Sequence, residues 1–297
     1  MAVHLGRALA AVFVLVGGAL PAPAPGPGPG PGPAPALDGR PVDGIRVDGI
    51  TVPPPARGES VWVEAVSADG RTRVVGVTVR GDGTVVLRRS GPPPQLLLSG
   101  GDPCRDPAFA VDHRPWRREL VWWFRARRLP PGLSARAAEE ALLGAAASLA
   151  EGRNDCGLQP QLEVPMAYRG RTDAPLGVGL TGCLSRDRRS VVGFGPLALG
   201  YLALTCWWVG PKGPLEADVK LSDAYPWTTD LSRPCWGRWS VEAVAVHELG
   251  HVLGLGHVGE AAHGALTMSP VIHPCQAEET TLGLGDVLGL ERLYRPT

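Results

Sequence analysis

The chain has 297 residues, room for one catalytic domain of about 150–200 residues with something smaller in front. Its hydrophobic share of 44% supports a real core, and its 29 basic residues balance 29 acidic ones, which argues against a nucleic-acid partner or a charged membrane surface. Lys212 and Lys220 are the only lysines; with the abundant Ala, Gly and Pro this fits the coding bias of a GC-rich bacterium and carries no functional weight.

Residues 1–20 read as an export signal. Arg7 precedes an uncharged, mostly apolar run from Ala8 to Leu20. That run is shorter than the roughly 20 residues a membrane span needs, and it matches the apolar core of a signal peptide. An uncleaved anchor is the alternative. Residues 21–39 form a Pro/Gly/Ala-rich linker, in which 21–36 contain only those three residue types and favour an extended spacer. Residues 40–100 read as a small β-rich region, a propeptide or an accessory unit. Val61–Val66 and Thr72–Val79 are rich in β-branched residues, Thr84–Leu87 is a third strand, and Ala68-Asp69-Gly70 and Gly81-Asp82-Gly83 supply the turns. Such a small sheet needs a partner surface.

Residues 101–297 form the main domain. Strands are expected at Leu120–Ala126, Leu162–Tyr168, Ser190–Phe194, Leu202–Trp207 and Ala217–Leu221. Ser134 can cap a helix that runs to about Glu151. Ser240–Gly254 has helical spacing with apolar residues on several sides, so this helix is buried. Asp286 can cap a last helix ending at Tyr294. The order predicts an α/β (α+β) fold with a mixed sheet. The tryptophans read as packing residues, and the Arg114–Arg128 basic cluster as a solvated face.

Six cysteines in an exported chain point to disulfides, for which 15 pairings exist. The pairing expected is Cys156–Cys183, Cys206–Cys235 and Cys104–Cys275. No CxxC pair is present, so a cysteine-bound zinc has little support.

The chemistry concentrates in the segment from His247 to His257. His247 and His251 lie one helical turn apart, about 6 Å along the axis and on one face, so both imidazoles can point at one ion. Glu248 is turned about 100° away and can reach a water without competing as a ligand. On a continuous helix His257 would lie about 15 Å beyond His247. The chain must therefore break and fold back, and Gly254 is where it can. Three protein ligands leave a fourth position open, the catalytic form of a zinc site. His4 falls in the signal, and His113, His263 and His273 read as ordinary surface or loop residues.

The pattern His247-Glu248-x-x-His251-x-x-Gly254-x-x-His257 resembles the long zinc signature of the metzincin metallopeptidases. Met268, in Ala265-Leu266-Thr267-Met268-Ser269-Pro270, falls where that clan places a methionine turn. Glu216-Ala217-Asp218-Val219 and the stretch Leu284–Tyr294 look most like the matrixins, in particular bacterial matrixin-like enzymes (peptidase family M10A type), over about residues 104–295. Three features depart from them: Val258 stands where many matrixins have Ser, the stretch from His257 to Met268 is longer than in vertebrate matrixins, and the cysteine switch of vertebrate zymogens is absent.

The resemblance implies a metzincin-like catalytic domain with a mostly parallel, twisted sheet. It implies a zinc endopeptidase with His247, His251 and His257 as metal ligands and Glu248 as general base toward a zinc-activated water. Substrate would lie extended along an edge strand at Leu199–Cys206, with Ser269–His273 walling the pocket beyond the scissile bond. Calcium is possible, but no residue can be assigned to it. Protein or peptide substrates, a secreted monomer and no membrane partner after signal cleavage complete the expectation. The alternatives are a secreted, catalytically inactive zinc-binding interaction module and a wall-associated structural protein.

Overall fold

A computed structural model describes residues 44–90, 101–275 and 280–296. The expected signal and linker lie outside the described residues, as does the Pro92-Pro93-Pro94 run. In chain order the strands and helices begin with a short ribbon, β1 (Ile45–Val47) and β2 (Ile50–Val52). Three strands follow: β3 (Ser60–Ser67), β4 (Thr72–Val79) and β5 (Val85–Arg89). Then come β6 (Ala110–Val111), β7 (Leu120–Arg125), α1 (Ala135–Glu151), β8 (Met166–Arg171), β9 (Ser190–Gly195), β10 (Tyr201–Gly210) and β11 (Gly213–Ser222). The last elements are β12 (Trp227–Thr228), β13 (Trp239–Ser240), α2 (Val241–Leu253), β14 (Leu255–Gly256), the single turn α3 (Glu260–His263) and α4 (Leu284–Tyr294).

The main sheet has eight strands in the order β5-β4-β3-β10-β11-β9-β7-β8. From β11 through β9 and β7 to β8 the pairs are parallel, and β10 is antiparallel to β11. This mixed five-strand part with its helices fits a matrixin-type catalytic domain. The other three strands continue the same sheet as an antiparallel meander, with β3 laid along β10. The partner surface that the β-rich region needs is therefore β10.

Two layers bury the sheet. On one face α1 and α2 cover Trp122, Phe124, Phe194, Leu202, Trp207 and Leu221. Leu142 and Leu149 of α1 are fully buried there, each contributing roughly 1.5–3 kcal/mol of apolar burial. α1 begins where Ser134 accepts the Ala137 N–H at 3.1 Å and ends at Gly152, whose φ of +66° closes the helix. On the other face Val61, Val63, Ala65, Val75 and Val77 pack with Leu204, Cys206 and Trp208, covered by β1 and β2.

Four local expectations change. The strand predicted at Leu162–Tyr168 starts only at Met166, because Glu163 N–H is taken by Tyr294 O at 2.9 Å and holds that stretch to α4 instead. Asp286 is not the first cap of α4: Gly283 takes that place, and Asp286 sits three residues in, accepting the Gly283 N–H at 3.0 Å. Leu199–Cys206 is not at an edge, since β10 lies between β3 and β11. The disulfides are Cys104–Cys156, Cys183–Cys206 and Cys235–Cys275, with Cα separations of 5.1, 5.7 and 5.3 Å. All three expected pairs are wrong. Each bridge joins two cysteines consecutive in the chain, and Cys183 meets Cys206 because the loop carrying Val178 and Cys183 crosses the face of β10 that carries Cys206. Tryptophans 116, 122, 207, 208, 227 and 239 are buried as expected of packing residues, whereas Trp236 is 84% exposed.

Candidate metal centre

α2 is capped at its start by Ser240, whose hydroxyl accepts the Ala243 N–H at 3.1 Å. It ends at Gly254 with φ +108°, a left-handed conformation that glycine adopts without strain. The Gly254 N–H closes on Gly250 O and His251 O. The chain then reverses through β14, which pairs with β6, and returns His257 to the helix. His113 and Trp116 donate from their ring nitrogens to His251 O and Val252 O at 3.0 and 2.7 Å, and the Tyr294 hydroxyl donates to Leu253 O at 2.7 Å. These side chains satisfy carbonyls that a helix end leaves open. His113 is thus a support of the site, not the ordinary surface or loop residue its isolated position suggested, and burial pushes its imidazole below its usual pKa.

The Nε2 atoms of His247, His251 and His257 lie 3.1–3.3 Å from one another. A tetrahedral zinc with Zn–N bonds of about 2.0–2.1 Å would set its ligand nitrogens about 3.3–3.4 Å apart. The opposite ring nitrogens of the first two are occupied. His247 Nδ1 contacts Thr267 O at 2.8 Å, and His251 Nδ1 contacts Leu255 O at 2.9 Å. Donation to those carbonyls fixes the tautomer that leaves an Nε2 lone pair for a metal. The donor set therefore fits zinc.

Beneath the helix lies the turn at Met268. A Cβ on Gly250 would come within 2.6 Å of Met268 Sδ, so a glycine at this point of α2 is what lets the turn approach. The Met268 carbonyl accepts the Val258 N–H at 3.0 Å. Asp286 holds the turn from below, accepting the backbone N–H of Thr267 and Met268 at 3.0 and 3.2 Å. The sequence marked Asp286 only as a helix cap and gave no sign of this second task.

A fourth group meets the three histidines. Glu64, on β3, is fully buried, with Oε1 at 2.8 Å from His257 Nε2 and 3.2 Å from His247 Nε2, and Oε2 at 2.5 Å from His251 Nε2. Burial alone would raise its pKa, but the three imidazoles outweigh that and hold the carboxyl well below the ordinary range. The Glu64 charge also overcomes burial at His247 and carries it up to about 9, whereas burial prevails at His251 and takes it down to about 4. Glu248 is buried too. Desolvation first, then Glu64, raises it to about 8 against the pull of His247 and Thr205. No sequence motif pointed to Glu64. His263 pairs with Asp106 at 2.7 Å.

Residues 203–295 match a family model described as Matrixin. Over 84 residues the chain is 46% identical to Metalloendoproteinase 4-MMP of Arabidopsis thaliana, a stretch covering 27% of this chain and 23% of that protein. The chain thus spans about a quarter of the length of that relative.

Proposed function

From a matrixin-type metallopeptidase region over residues 203–295, we propose that the chain is a secreted zinc endopeptidase that hydrolyses peptide bonds in proteins or peptides. The observation that carries this reading is the convergence of three Nε2 atoms, at zinc-like spacing, next to the buried carboxylate of Glu248. His247, His251 and His257 would hold the ion. Bound zinc supplies Lewis acidity toward a carbonyl and makes a water acidic near neutral pH.

The chain's own groups do the rest. Glu248 is not among the clustered donors, and burial leaves it with a raised proton affinity. It is suited to take the proton of an attacking water and pass it to the leaving amine. Thr267 O and Leu255 O orient two of the imidazoles, and the Asp286-held turn fixes the floor under them. Export is supported by the signal-like first 20 residues and by three disulfides. A monomer is proposed.

Replacing Glu248 by Ala tests the assignment. Casein or peptide hydrolysis should fall at least about 100-fold, the scale of lost general-base catalysis, while one zinc per chain stays bound. Undiminished hydrolysis in that variant removes Glu248 from the mechanism.

A further inference from the structure

Glu64 reaches the metal centre on a strand that lies where substrate is expected. β3 pairs antiparallel with β10, with Thr205 opposite Glu64, Cys206 opposite Val63 and Trp207 opposite Trp62. The turn between β3 and β4 is gripped on its other side by the segment after Met268. Thr72 N–H donates to Pro270 O at 3.0 Å, and Ile272 N–H donates to Gly70 O at 2.9 Å. The hairpin thus occupies both the strand expected to bind substrate and the segment expected to wall the neighbouring pocket.

The side chains fit this seat. Trp62 stacks on Trp207 at 6.4 Å and 10°, and Trp207 stacks on His251 at 5.8 Å and 8°. The Trp62 ring lies over Gly76 of β4, where a Cβ would fall 2.4 Å from it. Thr72 Oγ1 stands 3.1 Å from His257 Nε2. Two residues further along β3 from Trp62, on the same face, Glu64 touches all three histidines.

We propose that the β3–β4 hairpin is a built-in inhibitory segment, with the Glu64 carboxylate as fourth ligand to the metal. This rests on the zinc reading above. Three histidines and one carboxylate would supply the four ligands of a closed zinc site, with no position left for water. The backbone edge of β10, which would recognise an extended peptide, is taken at the same time. The full chain is then latent until the hairpin is displaced or removed, and a glutamate does the masking.

The test uses the full chain loaded with Co2+, whose visible absorption reports ligands at the metal, and acetohydroxamate as a probe of open positions. Wild type should show no spectral change at millimolar probe. Glu64→Ala should bind it at least 10-fold more tightly, with Glu64→Gln between them. Peptide hydrolysis should exceed wild type at least 10-fold once Gly70→Ala, which puts a Cβ against Ile272 O and unseats the hairpin tip, is added to Glu64→Ala. Micromolar binding of the probe by wild type overturns the proposal, and that measurement needs no variant to fold. Equal probe affinity in wild type and Glu64→Ala overturns it as well. Probe binding gained in Glu64→Ala with no hydrolysis even in the double variant supports the masking and overturns the peptidase reading instead. A wild-type chain that takes up no cobalt overturns both.

Discussion

The metal helix and the N-terminal hairpin deliver side chains to one buried point by opposite means. α2 and the reversal after it place His247, His251 and His257 within eleven consecutive residues, using one helical turn and one left-handed glycine. The hairpin brings Glu64 from 183 residues before His247, through strand pairing and packing alone. The first arrangement is local and braced from behind by Asp286, His113, Trp116 and Tyr294. The second is held by one strand ladder, a turn contact, a stack of rings and the apolar packing of its other face. A group placed by local geometry is permanent. A group placed by a docked strand can leave while the rest of the site stays.

The largest expected effect breaks the local half of this contrast. Asp286→Ala strips the acceptor from three buried N–H groups, those of Gly283, Thr267 and Met268. A loss of about 2–4 kcal/mol is expected, by the cost of unsatisfied buried donors, together with faster zinc release to a chelator. Denaturant unfolding and a chelator competition would read it, and an unchanged midpoint would show that the turn does not depend on this carboxylate.

A smaller effect loosens the other half. Gly70 has φ +81°, and a Cβ there would lie 1.9 Å from Ile272 O. Gly70→Ala should cost about 1–3 kcal/mol in local strain and unseat the hairpin tip. Zinc should be retained while hydroxamate gains access, as in Glu64→Ala. If zinc is lost instead, the two regions are not separable.

The smallest effect lies outside both regions and checks that neither explains the pH response of the fold. Burial raises Glu216, which accepts the Asp187 N–H at 3.0 Å, from 4.5 to about 7. The fold therefore favours its protonated form. Its contribution is present below about pH 4.5 and is lost as pH rises through about 7. Glu216→Gln should flatten the melting temperature between pH 5 and 8, and a slope equal to wild type would assign the dependence elsewhere.

These contrasts also set what could be read from the chain. The bounds of α1 and α2 and the break at Gly254 follow from periodicity, capping residues and reach, all short-range quantities, whereas the placing of Met268 came from the metzincin resemblance. β4 was legible for a related reason: Thr72–Val79 is a β-branched run between two marked turns. What stayed hidden depends on strand order. Nothing in residues 60–67 says that they will lie against 201–209, so neither Glu64 nor the covered face of β10 could be foreseen. The disulfides failed for the same cause, since Cys183 and Cys206 meet only because a loop crosses the sheet. Asp286 was recognised as a helix-start residue, but its bonds to Thr267 and Met268 are tertiary.

The apolar side of the hairpin has a further consequence. Val61, Val63, Ala65, Val75 and Val77 lie beside Leu204, Cys206 and Trp208 on one face of the sheet, under β1 and β2. Taking the hairpin away would open the flank of that patch and the backbone edge of β10 together, a combination that invites chains to add to one another. On the reading proposed above, the docked hairpin keeps that edge closed, and its release would trade solubility for access to the metal centre.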